Sequence, residues 1–230
     1  MKICGLQKLS MVDYPGKLAA TVFTGGCNLR CPFCHNALLV TRLEESPTLD
    51  EVQVLSFLAS RRGLLDGVVL SGGEPLLHQD AADFLAKVRS LGFAIKLDTN
   101  GCYPQALDRI LQDRLVDYVA MDVKNTPEKY PLTVGIPEFS IEPIQTSLDL
   151  LAASGIDYEL RTTVVRQFHT PQDIESLAKW IHRAPRYVLQ NFEDSGNLIG
   201  KGLQGFTKDE LDAMAAAAKK HLPFVQIRGK

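Results

Sequence analysis

The sequence predicts an α/β fold in which parallel strands carry helices on their outside. Three observations point there. Short apolar runs, several rich in β-branched residues, alternate with longer amphipathic segments. Each run is bounded by Gly, Pro or a charged residue. No Gly/Ser linker, low-complexity segment or longer repeat breaks the series, so residues 1–230 read as a single domain. Strands are expected at 18–23, 68–71, 93–97, 118–121, 158–165 and 187–190, with a further short run at 224–227. Helices are expected at about 49–62, 79–91, 105–112, 143–154, 171–182 and 208–221. Thr48/Glu51 and Thr207/Glu210 supply the T-x-x-E of a capping box to the first and last helix, and Gly63, Gly92 and Gly155 end three of them. Residues 124–140, with three prolines, form one long irregular connection, a functional lid or a surface excursion. Six such βα units fit either an open three-layer sheet or an incomplete barrel, and pattern alone does not choose.

Composition narrows the function. The chain has 25 Lys and Arg against 27 Asp and Glu, a formal charge of −2, so no basic field invites nucleic acid. Hydrophobic residues make up 45%, enough for a sizeable core. The longest uncharged stretch, residues 18–29, is too short to span a bilayer, so no membrane association is expected. The first residues lack the apolar centre and cleavage site of a secretory signal, and a cytoplasmic location is expected.

Cysteine usage is more telling. The thiols are Cys4, Cys27, Cys31, Cys34 and Cys102, an odd number with three crowded into one loop after the first expected strand. A disulfide framework would use an even, dispersed set. Three neighbouring thiolates suit a soft-metal centre, an iron–sulfur cluster or zinc. A structural zinc site needs a fourth ligand, and no nearby fourth Cys exists. His35 would have to fold back beside the sulfur next door to serve. Cys4 and Cys102 are too few for a second cluster and read as small buried hydrophobes or incidental thiols.

Further polar groups follow successive strands: Ser71-Gly72-Gly73-Glu74-Pro75, Asp98-Thr99-Asn100-Gly101 and Asp122-Val123-Lys124. Each alone is an ordinary turn or strand end. All of them, with the cysteines, fall at the C-terminal ends of expected parallel strands, where such folds bind ligands. There the two glycines admit a ligand to the backbone and Glu74 offers an acceptor for an ammonium. Lys124 can neutralise a carboxylate as a point charge.

The C-x3-C-x2-C spacing of Cys27, Cys31 and Cys34, followed by the Gly-Gly-Glu turn, resembles the radical S-adenosylmethionine superfamily. The continuation Cys-His-Asn and the upstream Val12-Asp13-Tyr14-Pro15-Gly16 are similar to activating enzymes of glycyl-radical enzymes. The nearest are those of anaerobic ribonucleoside-triphosphate reductase in their longer form, with pyruvate formate-lyase activating enzyme a cousin. The resemblance runs from about Lys8 to Arg166. It implies a partial (β/α)6 TIM-type barrel and one [4Fe–4S] cluster on Cys27, Cys31 and Cys34, whose free iron binds S-adenosylmethionine. It implies cofactor contacts from Phe33, His35, Gly72, Gly73, Glu74, Asp98, Thr99, Asp122, Val123 and Lys124. Asp98 and Asp122 would balance the sulfonium, bind the ribose or hold a monovalent cation. Asp13 would sit at the mouth against the partner's glycine loop, and Arg161 would face the substrate peptide. No auxiliary ferredoxin-like domain is expected. The histidine that pyruvate formate-lyase activase carries after the sixth strand is absent, and Gln190 or Asn191 is left to contribute there.

The chemistry so implied is reductive cleavage of S-adenosylmethionine to methionine and a 5′-deoxyadenosyl radical. That radical abstracts the α-hydrogen of a glycine in a partner glycyl-radical enzyme, with flavodoxin or ferredoxin as reductant. Two alternatives stand beside it: a small-molecule radical enzyme similar to 7-carboxy-7-deazaguanine synthase, and a non-enzymatic zinc-stabilised binding module.

Overall fold

The computed structural model describes residues 1–194 and 196–229. Eight strands form one sheet: β1 (Ile3–Ser10), β2 (Ala19–Thr24), β3 (Gly67–Gly72), β4 (Ala94–Thr99), β5 (Tyr118–Asp122), β6 (Asp157–Val164), β7 (Tyr187–Asn191) and β8 (Val225–Arg228). Eight helices intervene: α1 (Ala37–Thr41), α2 (Glu51–Ser60), α3 (Ala81–Ser90), α4 (Pro104–Gln112), α5 (Tyr130–Val134), α6 (Glu142–Ser154), α7 (Pro171–Trp180) and α8 (Lys208–Lys219).

Strand order resolves the ambiguity that pattern left. The strands lie side by side in chain order from β1 to β8. β1 pairs antiparallel with β2, and every later pair is parallel. An open doubly wound sheet reverses direction at a switch point, putting helices on both faces. Here every crossover advances the same way, so right-handed connections place the helices on one face and the sheet curls round the other. The result is the expected partial (β/α)6 barrel over β2–β7, extended by β1 and β8. Among the described residues β1 and β8 do not pair with each other, so the barrel stays open.

Three local expectations need correction. β1 was not expected. It is an edge strand whose Gln7, Lys8 and Leu9 are exposed, so its sequence shows no clean alternation. The first capping box is absent: α2 starts one residue after Asp50, whose carboxylate accepts from Val52 N. The Thr207/Glu210 box is present, and a second joins Thr170 to Asp173. Lastly, the proline-rich 124–140 segment is neither lid nor excursion. It contains α5, buries Tyr130 completely, and packs under the cysteine loop, where Arg30 N donates to Val134 O at 2.9 Å.

The helix-facing side of the sheet packs the main core, with Leu70, Ile95, Leu97, Val119 and Leu189 fully buried. The barrel's inner face is different. Thr21, Val69, Lys96 and Tyr118 stand in register across β2 to β5, and register partners share a face. At the N-terminal end of the strands this interior is closed by Tyr14 from the β1–β2 connection. Its ring lies 6.1 Å from that of Tyr118 and against the backbone of Gly67, where a Cβ would stand 3.0 Å from the tyrosine ring.

Candidate active site

The opposite, C-terminal end of the barrel is hollow. A cavity there is lined by Cys27, Cys31 and Cys34, by Phe33 and His35, and by Gly72 and Gly73. Asp98, Thr99, Asp122, Lys124 and Arg161, also foreseen in the sequence, line it too.

The loop carrying the three thiols is held from several sides. Glu74 N donates to Gly26 O at 2.8 Å, and Gly200 N to Pro32 O at 2.7 Å. A Cβ on Gly73 would stand 2.0 Å from Gly26 O, so the glycine is what lets the two turns touch. Gly72 has φ +127°, and its Cβ would lie 2.3 Å from the Thr24 backbone. Asn100 Nδ2 donates to Asn28 Oδ1 at 2.9 Å and lies 3.7 Å from Cys27 Sγ, which also accepts from Leu29 N at 3.4 Å. Burial raises all three thiols, Cys27 to about 11 and Cys31 to about 12, with the Leu29 amide and the Lys124 ammonium opposing the rise. A metal must therefore supply the driving force for the thiolate form at this depth.

These donors fit a cluster better than a single ion. Among the described residues no three His, Cys, Asp or Glu side chains converge on a one-ion site. Thiolates on separate irons of one cluster need not converge in that way. His35 is committed elsewhere: its ring stacks on Phe192, and Nε2 donates to Glu193 O at 3.0 Å. The zinc-module alternative thus lacks its closed four-ligand shell.

Beneath the thiols lies a ladder of charges. Asp98 Oδ1 accepts from Lys96 Nζ at 2.5 Å and faces Arg161 Nη1 at 3.5 Å, while Oδ2 accepts from Ser71 Oγ at 3.0 Å. Asp122 accepts from Arg161 Nε at 2.8 Å on one oxygen and from Lys124 Nζ at 2.8 Å on the other. Burial alone would raise both carboxyls, but Arg161 with Lys96 or Lys124 holds each below the usual range. Burial would likewise lower Lys124 and Arg161, and Asp122 more than reverses it. Lys124 is also fixed through its backbone, since its N–H donates to Tyr130 Oη at 3.2 Å and its carbonyl accepts from His169 Nε2 at 2.8 Å.

Three foreseen residues are not brought to the cavity. Glu74 is wholly buried and turned away, accepting from Leu76 N, Thr99 Oγ1 and Asn100 N at 2.7–3.0 Å. It ties the Gly-Gly-Glu turn to the Asp-Thr-Asn turn instead of meeting an ammonium. Val123 is buried, with its carbonyl accepting from Thr162 Oγ1 at 2.6 Å. Asp13, expected at the mouth, accepts from Thr21 Oγ1 at 2.7 Å in the β1–β2 connection. Because β1 runs antiparallel, that connection lies at the opposite end of the sheet. Of the two candidates at the end of β7, Gln190 lines the cavity, while Asn191 is spent on Phe206, bonding both its N–H and its carbonyl. Leu29, Asn36, Val40, Ser71, Asn100 and Thr163 also line the cavity and were not foreseen. Asn36 entered only as the end of the Cys-His-Asn continuation, and its Nδ2 donates to Gly72 O at 2.9 Å.

Residues 21–181 match the family model of the Radical SAM superfamily, and the chain belongs to that superfamily. A Methanocaldococcus jannaschii protein, MJ1227, provisionally named a glycyl-radical enzyme activating enzyme, is 35% identical over 233 residues, 98% of this chain and 95% of its own. The 7-carboxy-7-deazaguanine synthase of Halobacterium salinarum is 33% identical over 181 residues, 74% of this chain and 66% of its own. Among solved structures, Streptococcus suis SuiB bound to precursor peptide SuiA shares the fold, with a TM-score of 0.73 at 14% identity over 91% of this chain and 48% of SuiB. The chain is a radical SAM enzyme of the partial-barrel type.

Proposed function

We propose that this enzyme activates a glycyl-radical enzyme, most specifically an anaerobic ribonucleoside-triphosphate reductase, drawing electrons from a flavodoxin or ferredoxin. One observation carries the reading: the likeness to MJ1227 spans both chains almost end to end. The match to the deazaguanine synthase leaves a third of that protein uncovered. When bound, a [4Fe–4S] cluster supplies the one-electron chemistry that cleaves S-adenosylmethionine and generates the hydrogen-abstracting radical.

The chain's own residues bind, orient and shield. Cys27, Cys31 and Cys34 hold the cluster. Lys124 presents its ammonium to the methionine carboxylate, its direction fixed by Asp122, Tyr130 and His169. Gly72 and Gly73 line the cavity and would offer backbone groups to the amino group. Phe33, Leu29 and Val40 give the cavity its apolar lining. Arg161 from β6 and Gln190 from β7 line the same cavity, and a glycine-bearing segment would meet them there.

The test is anaerobic incubation of the reconstituted enzyme, reductant and S-adenosylmethionine with candidate partners, followed by electron paramagnetic resonance. A glycyl radical on the reductase is expected, and Cys31→Ala should abolish both the signal and methionine release. A deazapurine product formed without any partner protein would overturn the activase reading.

A further inference from the structure

Lys96 is the unexplained group in this molecule. It sits in the middle of β4 with its side chain 2% exposed, does not line the cavity, and pairs with Asp98. Burying an ammonium is costly unless its charge is used. The sequence signal is plain in retrospect, a lysine within an apolar strand two residues before Asp98, hence on the same face.

The use is visible in the acceptors around it. All four oxygens of Asp98 and Asp122 are already satisfied by protein donors: Lys96, Ser71, Arg161 and Lys124. Three protein cations therefore face two carboxylates. A monovalent metal cation placed between Asp98 and Asp122 would stand among Lys96, Arg161 and Lys124 and add positive charge to a surplus. The residues present do not fit such an ion.

We propose that Lys96 is a positioning residue whose ammonium, with the Arg161 guanidinium, serves as a covalently held counter-cation. It fixes Asp98 at the cavity floor in place of a free monovalent cation, so S-adenosylmethionine binds without one. The proposal rests on reading the cavity as the S-adenosylmethionine site.

The experiment measures S-adenosylmethionine affinity of the reconstituted enzyme by equilibrium dialysis in potassium, sodium or choline chloride at equal ionic strength. Dissociation constants within about twofold of one another are expected, and a saturable tightening of about tenfold by potassium overturns the proposal. Lys96→Met keeps the side-chain length and removes the charge. It should bind weakly in choline and recover in potassium, whereas wild-type affinity in choline would overturn the role of Lys96. Thallium-205 resonance on the wild-type protein gives a readout free of S-adenosylmethionine: no saturable bound thallium is expected, and a bound signal overturns the proposal. Absence of S-adenosylmethionine binding in every salt, with no thallium bound, would instead refute the functional reading and leave the ladder's completeness standing.

Discussion

The two ends of the barrel are built from the same strands and do opposite things. At the N-terminal end, Tyr14, Ala19, Val69, Tyr118 and Ala120 form a closed apolar cluster. At the C-terminal end, the same β4 and β5 deliver Asp98 and Asp122 to the wall of the cavity. A strand can serve both ends because alternate residues repeat on one face, so packing at one end is decoupled from chemistry at the other. Substitutions should therefore separate into those that damage catalysis and those that damage folding.

The largest effect should come from Gly73→Ala. The added methyl meets the Gly26 carbonyl, and the cysteine loop must move to admit it. A displacement of that order in a positioned site costs about 100-fold, so methionine release per folded molecule should fall by at least that much. Near-normal release would break the claim that the two turns set the loop's position. At the other end, Tyr14→Ala should cost about 3 kcal/mol in denaturant titrations through the cavity it leaves. Its rate per folded molecule should match wild type, and a parallel loss of activity would show that the two ends are coupled.

The smallest effect tests Glu74, which links the two site turns. Burial pushes its carboxyl up from 4.5 to about 7, against the Asn100 and Leu76 amides and the Thr99 hydroxyl. Between those values the folded state binds the proton more tightly than the unfolded state, so this group's contribution to stability falls as pH rises through the window. Glu74→Gln has no such slope. The stability of wild type relative to the variant should decline from about pH 5 to about pH 7. A difference that stays flat with pH would show that Glu74 is not held in this way.

Much of this was legible in the residues, and the exceptions share a cause. β2 to β8 lie close to their expected places because buried parallel strands read as bounded apolar runs. The cysteines, Gly72, Gly73, Asp98, Asp122 and Lys124 converge because strand ends in a parallel sheet must share an edge. What failed was side-chain direction and edge pairing. Glu74 follows two glycines in a turn, and nothing in the string S-G-G-E-P says whether its carboxylate faces ligand or backbone. Asp13 was misplaced because an antiparallel edge strand was hidden by its own exposed residues, and its direction decides at which end the following turn lies. Lys96 did not stand out because the run 93–97 reads as apolar around it.

The cysteine loop's anchors also set an order of events. Gly26 is held by Glu74, Arg30 by Val134, and Pro32 by Gly200. A chain still emerging from the ribosome lacks the last of these until most of it has been made, and domains fold as units. Until then one of the loop's three anchors is missing. Metal loading should accordingly be a post-synthetic event on a finished barrel.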